Sequence, residues 1–79
     1  MDAKKFIIEY DYFGISGSAE VKEKTGNAEQ YYKCFLHSSA DVISIKKVKE
    51  ETLAYWIDIA SGTVTPLSHI LGQAIESKI

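Results

Sequence analysis

LAYWIDIASGTVTPLSHILGQAIESK, residues 53–78, is the stretch whose reading decides the fold. In its first part Leu53, Tyr55, Ile57 and Ile59 alternate with Ala54, Trp56 and Asp58, which is the period of a strand. In its second part the period changes to that of a helix. Leu67, Ile70, Leu71, Ala74, Ile75 and Lys78 recur on one face, and Ser68, His69, Gln73, Glu76 and Ser77 take the other. Thr65-Pro66 is a helix start: threonine caps free amides, and proline fits the first helical position. A helix of about 66–78 therefore follows a strand of about 53–59. Gly72 interrupts it at a cost of about 1 kcal/mol relative to alanine, either because the helix closes on a sheet there or because packing tolerates it.

Working back towards the N-terminus, four more strand-like segments are joined by short turns. Residues 5–13 place Phe6, Ile8, Tyr10 and Tyr12 on one face and Ile7, Glu9, Asp11 and Phe13 on the other. Gly14-Ile15-Ser16-Gly17 reads as the connection to a second, polar strand at 18–24, whose charges suit a sheet edge. Thr25-Gly26-Asn27 is the next turn signal. The third strand, 30–37, puts Tyr32, Cys34 and Leu36 against Tyr31, Lys33, Phe35 and His37. The fourth, 42–49, fits a helical spacing as well, but the β-branched run Val42-Ile43-Ser44-Ile45 favours a strand. Glu50-Glu51-Thr52 turns the chain into the fifth.

Five strands in a meander with one C-terminal helix on one face make a two-layer α+β domain, residues 1–79 forming a single unit. A strongly curled sheet approaching a half-barrel is the variant of this plan. The helix is expected over Phe6, Ile8, Tyr32, Leu36, Tyr55 and Ile57. Phe13, Tyr31, Phe35 and Trp56 are expected on the face left open, and a surface of that kind meets something.

Composition limits the functional classes. The 79 residues are 46% hydrophobic and 25% charged, which is globular composition. So short a chain buries only about 60% of its unfolded surface, and oligomerisation is a common supplement. The net charge is −2 and all nine basic residues are lysines, which counts against a dedicated nucleic-acid binder and against bidentate phosphate recognition. One cysteine permits no intramolecular disulfide. The apolar run after Met1-Asp2-Ala3-Lys4-Lys5 is only Phe6-Ile7-Ile8, too short for a signal peptide or a membrane span. A cytoplasmic chain, complete in itself, is the expectation.

No catalytic, phosphate-binding or metal-binding motif is found, so no enzyme, cofactor or metal is expected. Cys34 and His37 are three apart on a strand and fall on opposite faces, so the imidazole does not activate the thiol. Glu9 and Asp11 share a face about 7 Å apart, a spacing known from paired carboxylates, but on a solvated strand. The reading that remains is a small interaction module, a homodimer or a binder of another protein, with Phe13, Tyr31, Phe35 and Trp56 as partner-binding residues. The alternative is weak single-stranded nucleic-acid binding, with Lys22, Lys33 and Lys46 tracking phosphates between the outer aromatics.

Overall fold

A computed structural model describes residues 4–26 and 29–79. The strands are β1 (Lys5–Tyr12), β2 (Ile15–Gly26), β3 (Glu29–Leu36), β4 (Val42–Glu50) and β5 (Leu53–Asp58), and the helix is α1 (Pro66–Glu76). The strands form one antiparallel sheet in sequence order, as the meander requires, so β2 is an interior strand paired with both β1 and β3 and not the sheet edge its charges suggested. The sheet curls into a half-barrel. Its two end strands, β1 and β5, both pack on α1, which therefore sits in the concave side and leaves the convex side open.

The core lies between α1 and the concave face. Ile8, Ala19, Val21, Cys34 and Ile45 from the sheet and Leu71 and Ile75 from the helix are fully buried, with Tyr32, Leu36 and Trp56 nearly so. Phe6, Tyr10, Ile43, Leu67 and Ala74 pack around them.

The helix start forms as its sequence dictates. The Thr65 side chain accepts the Ser68 amide at 3.0 Å, and the Thr65 amide donates to Ser68 Oγ at 2.9 Å, a reciprocal capping box with Pro66 in the first turn. Ser68 is fully buried, and its hydroxyl donates to the Trp56 carbonyl at 3.0 Å. One side chain thus closes the helix end and ties it to β5. The helix stops at Glu76, two residues before its expected end, with Ser77 as C-cap.

The first hairpin corrects the expected turn. Phe13 and Gly14, with φ of 52° and 84°, form the two-residue turn, and β2 begins at Ile15. Phe13 is therefore the hairpin tip, 75% exposed, its ring edge-on to Tyr12 at 4.6 Å, rather than an outward residue of β1. Gly17 serves another purpose. It lies opposite Tyr10, and a Cβ there would stand 2.8 Å from that ring, so the glycine gives the tyrosine its place. Thr25 and Gly26 close β2 instead of turning; Asn27, the rest of that expected turn, lies outside the described residues.

The larger correction concerns β5. Its faces are exchanged relative to expectation. Trp56 lies on the covered face, 4% exposed, with its ring 5.6 Å from that of Tyr32. Leu53 is 66% exposed and Ile59 40%, and Tyr55 and Ile57 are half-buried on the convex side. The physical reason is Gly72: a Cβ there would lie 2.1 Å from Trp56 Cγ, so the helix backbone rests directly on the indole. The indole Nε1–H donates to Glu76 at 3.0 Å, which satisfies its polar edge. One large ring under a glycine outweighs four smaller apolar side chains on the opposite face.

Candidate interaction surface

The strand pairings define the convex face row by row, because residues opposite each other on neighbouring strands point the same way. One row is Ile7–Glu20–Phe35–Val42, running from β1 across β2 and β3 to β4. Beside it lies Lys5–Lys22–Lys33–Ser44. Beyond that, Lys24 stands opposite Tyr31, and Lys46 opposite Ile57. On the other side of the first row, Glu9 stands opposite Ser18 and Asp11 opposite Ser16.

Of the four residues expected here, the structure brings together Tyr31 and Phe35, both half-buried on β3. Phe13 is apart from them at the hairpin tip, and Trp56 is beneath the helix. In their place the convex face carries Ile7 at 48%, Val42 at 50%, Leu53 at 66% and Ile59 at 40% exposure. Tyr55, Ile57 and Val48 complete the apolar surface on β4 and β5. For Leu53, Tyr55, Ile57 and Ile59 the sequence signal was the same alternation that made them look like core.

The charges on this face are balanced and ordered. Lys22 lies 5.2 Å over the Phe35 ring, Lys5 pairs with Glu20 at 3.6 Å, and Lys46 pairs with Glu29 at 2.9 Å. The three lysines of the Lys5–Lys22–Lys33 row stand directly opposite one another, an arrangement that is unfavourable on an isolated sheet. Lys47 belongs to the other face, where it holds Glu76 at 2.8 Å beside Trp56. The Lys47 and Trp56 hydrogen bonds hold the Glu76 carboxyl below its ordinary range.

Two further groupings come from the strand register and not from sequence proximity. Ser18 Oγ lies 2.8 Å from His37 Nδ1, in an open depression that Glu9 and Asp11 also line. The pair is 19 residues apart in sequence and meets because β2 and β3 are neighbours. Both side chains face water, and among the described residues no second hydrogen bond fixes the imidazole, as a working general base requires. The second is an apolar recess between the β1–β2 hairpin and α1, lined by Tyr10, Tyr12, Leu36 and Leu67. Its volume of about 230 Å³ is below the roughly 300 Å³ at which small-molecule sites begin.

Cys34 is fully buried, and burial pushes its thiol up to about 12. Tyr32 is also raised, by burial first and then by Glu23, which accepts from its hydroxyl. Among the described residues no group of three or more metal-ligating side chains occurs, and no helix is long and apolar enough to cross a membrane. Set against family models, curated proteins and solved structures, the chain matches none.

Proposed function

We propose that the chain is a small non-enzymatic interaction module that self-associates through the convex face of its sheet. The observation that carries this reading is the set of apolar side chains on the one face that α1 does not cover, where Ile7 and Val42 are about half exposed and Phe35 lies half-buried between Glu20 and Val42. Apolar side chains left exposed on a sheet face and edged by charge have the composition of an interface core and rim. Phe35 is the central anchor, since it lies inside the row with a lysine over its ring. Sedimentation equilibrium over a wide dilution series tests the reading. A dimer that dissociates on dilution is expected, with Phe35→Ala weakening it by about 2 kcal/mol, or roughly thirtyfold. A monomer at every concentration overturns it.

A second reading is favoured by one specific observation, the cross-strand row of Lys5, Lys22 and Lys33. Opposed lysines beside Phe35 and Tyr31 suit a single-stranded nucleic acid whose bases stack and whose phosphates relieve the lysine repulsion. Affinity for an unstructured oligonucleotide that falls steeply with salt supports it, and absent or salt-insensitive binding ends it. Five carboxylates on the same face (Glu9, Asp11, Glu20, Glu29 and Glu50) and the net charge of −2 weigh against it.

A further inference from the structure

We infer that the outer edge of β1 is a strand-addition site for an extended segment of another protein, with basic side chains opposite Glu9 and Asp11 and an acidic one opposite Lys5. The inference goes beyond the convex-face reading and uses a different surface. Tyr12 and Ile15 flank the two-residue turn, and the Glu23 amide donates to the Lys4 carbonyl at 2.8 Å. Ladder bonds alternate along an antiparallel pair. Phe6, Ile8, Tyr10 and Tyr12 therefore bond to β2, and the N–H and C=O groups of Lys5, Ile7, Glu9 and Asp11 point away from it. No other backbone group among the described residues reaches them. The opposite edge is treated differently. On β5 the Asp58 amide donates to the Thr63 carbonyl at 2.9 Å, the Asp58 carbonyl accepts the Gly62 amide at 2.7 Å, and the Trp56 carbonyl accepts from Ser68 Oγ. The chain closes one edge of its sheet and leaves the other as a template.

A groove runs beside that template. Ile7 and Glu9, from the convex side, line one space of about 430 Å³ with Ala74, Ser77 and Lys78 at the C-terminal end of α1, which packs on the concave side. Residues from the two sides of a sheet border a single space only where it lies off the strand's edge. An extended chain laid there antiparallel gains main-chain bonds to Lys5, Ile7, Glu9 and Asp11, and its alternate side chains stand opposite theirs. The charges then select it: an acid opposite Lys5, an apolar residue opposite Ile7, and bases opposite Glu9 and Asp11. Its other side chains face the end of α1 beside Ala74 and Ser77, where small residues fit. A second copy's β1 carries a matching charge order about Ile7, but it brings α1 with it. Neighbouring strands lie about 4.8 Å apart, whereas packed helices need about 8–10 Å between axes, and α1 already borders the groove. The site therefore takes a strand with no helix behind it.

The probe is the peptide acetyl-Thr-Lys-Thr-Lys-Thr-Val-Thr-Glu-Thr-amide, titrated into the ¹⁵N-labelled full-length chain and followed by NMR, with circular dichroism confirming that each variant is folded. The amides of Lys5, Ile7, Glu9 and Asp11 are expected to shift and to slow in hydrogen exchange, while those of Phe35 and Val42 stay fixed. Glu9→Pro deletes an outward amide and spares the β2 ladder. It is expected to bind roughly tenfold more weakly than Glu9→Gln, which loses the charge alone. A peptide with every charge exchanged is expected to bind the parent roughly tenfold more weakly, and to be restored by Lys5→Glu, Glu9→Lys and Asp11→Lys together. Absent binding, or binding indifferent to both Glu9→Pro and charge exchange, overturns the inference and leaves convex-face self-association standing. Concentration-dependent movement of the same four amides without peptide overturns the choice of occupant in favour of a second copy. A chain that is monomeric yet binds the peptide in this way upholds the edge site and removes the convex-face reading alone.

Discussion

Gly72→Ala isolates the contact that sets the covered face. In an exposed helix interior this change stabilises by about 1 kcal/mol, through propensity alone. Here the new Cβ would stand 2.1, 2.3 and 2.4 Å from Cγ, Cδ1 and Cδ2 of Trp56. Those atoms belong to the body of a rigid indole that is 4% exposed, held by Glu76 at one edge and with the tilted Tyr32 ring 5.6 Å away, so the ring has nowhere to swing. Overpacking costs typically 1–3 kcal/mol and sometimes more, and an overlap of more than an ångström belongs at the upper end. Set against the propensity gain, the net destabilisation is about 2 kcal/mol. For a domain of this size that lowers Tm by about 8–16 °C, which thermal unfolding followed by circular dichroism resolves. In a double-mutant cycle, Trp56→Leu in the same chain should remove most of the penalty, because the two changes share one cavity. A variant as stable as the parent, or more stable, would refute the reasoning and with it the placement of Trp56 beneath the helix.

Three other outcomes follow from the same packing. Ser68→Ala removes half of the capping box and the buried donor to the Trp56 carbonyl; a loss of about 1–2 kcal/mol in urea unfolding is expected, where an ordinary exposed helix serine would give little. Cys34, with its thiol near 12 and no exposure, should react with iodoacetamide at pH 8 only as fast as the domain opens, so that labelling slows with every stabilising change and not with ring or charge substitutions on the convex face. Glu76 has its folded-state carboxyl lowered, so its contribution is complete above the ordinary glutamate range and is lost as the pH falls through the lowered value. The group is largely solvent-screened, so Glu76→Gln should cost under about 1 kcal/mol at pH 7, and the difference from the parent should vanish in acid.

How far the sequence could be read is clearest in β5. Its alternation showed a strand and its length, but not which face would be covered. Four large apolar residues at 53, 55, 57 and 59 outnumber one tryptophan, and counting favours the larger set. The outcome turned on a fit between Trp56 and Gly72, 16 residues apart in sequence, and such a fit exists only after the helix is placed. The glycine in the helix was visible; its partner was not. In the first hairpin, two glycines at 14 and 17 competed for the turn. Gly14 took it together with Phe13, which accepts φ of 52°, while Gly17 made room for Tyr10 from the neighbouring strand. Elsewhere local rules sufficed: the strand alternation of β1 through β4, the Thr65-Pro66 helix start and the burial of Cys34 all depend on nearest neighbours. Tyr31 and Phe35 could be found for the same reason. The ordering of Glu9, Asp11, Lys22 and Lys24 about the Phe35 row could not, because it depends on register across three strands.

The most direct measurement of the central claim is the concentration dependence of backbone amide chemical shifts, recorded by NMR on the uniformly ¹⁵N-labelled chain. Association through the convex face predicts shifts that move with concentration at Ile7, Glu20, Phe35 and Val42 and in the strands beside them, while the amides of α1 stay fixed. Movement confined to α1 or to the outer edges of β1 and β5, or no movement over the whole accessible range, would contradict it.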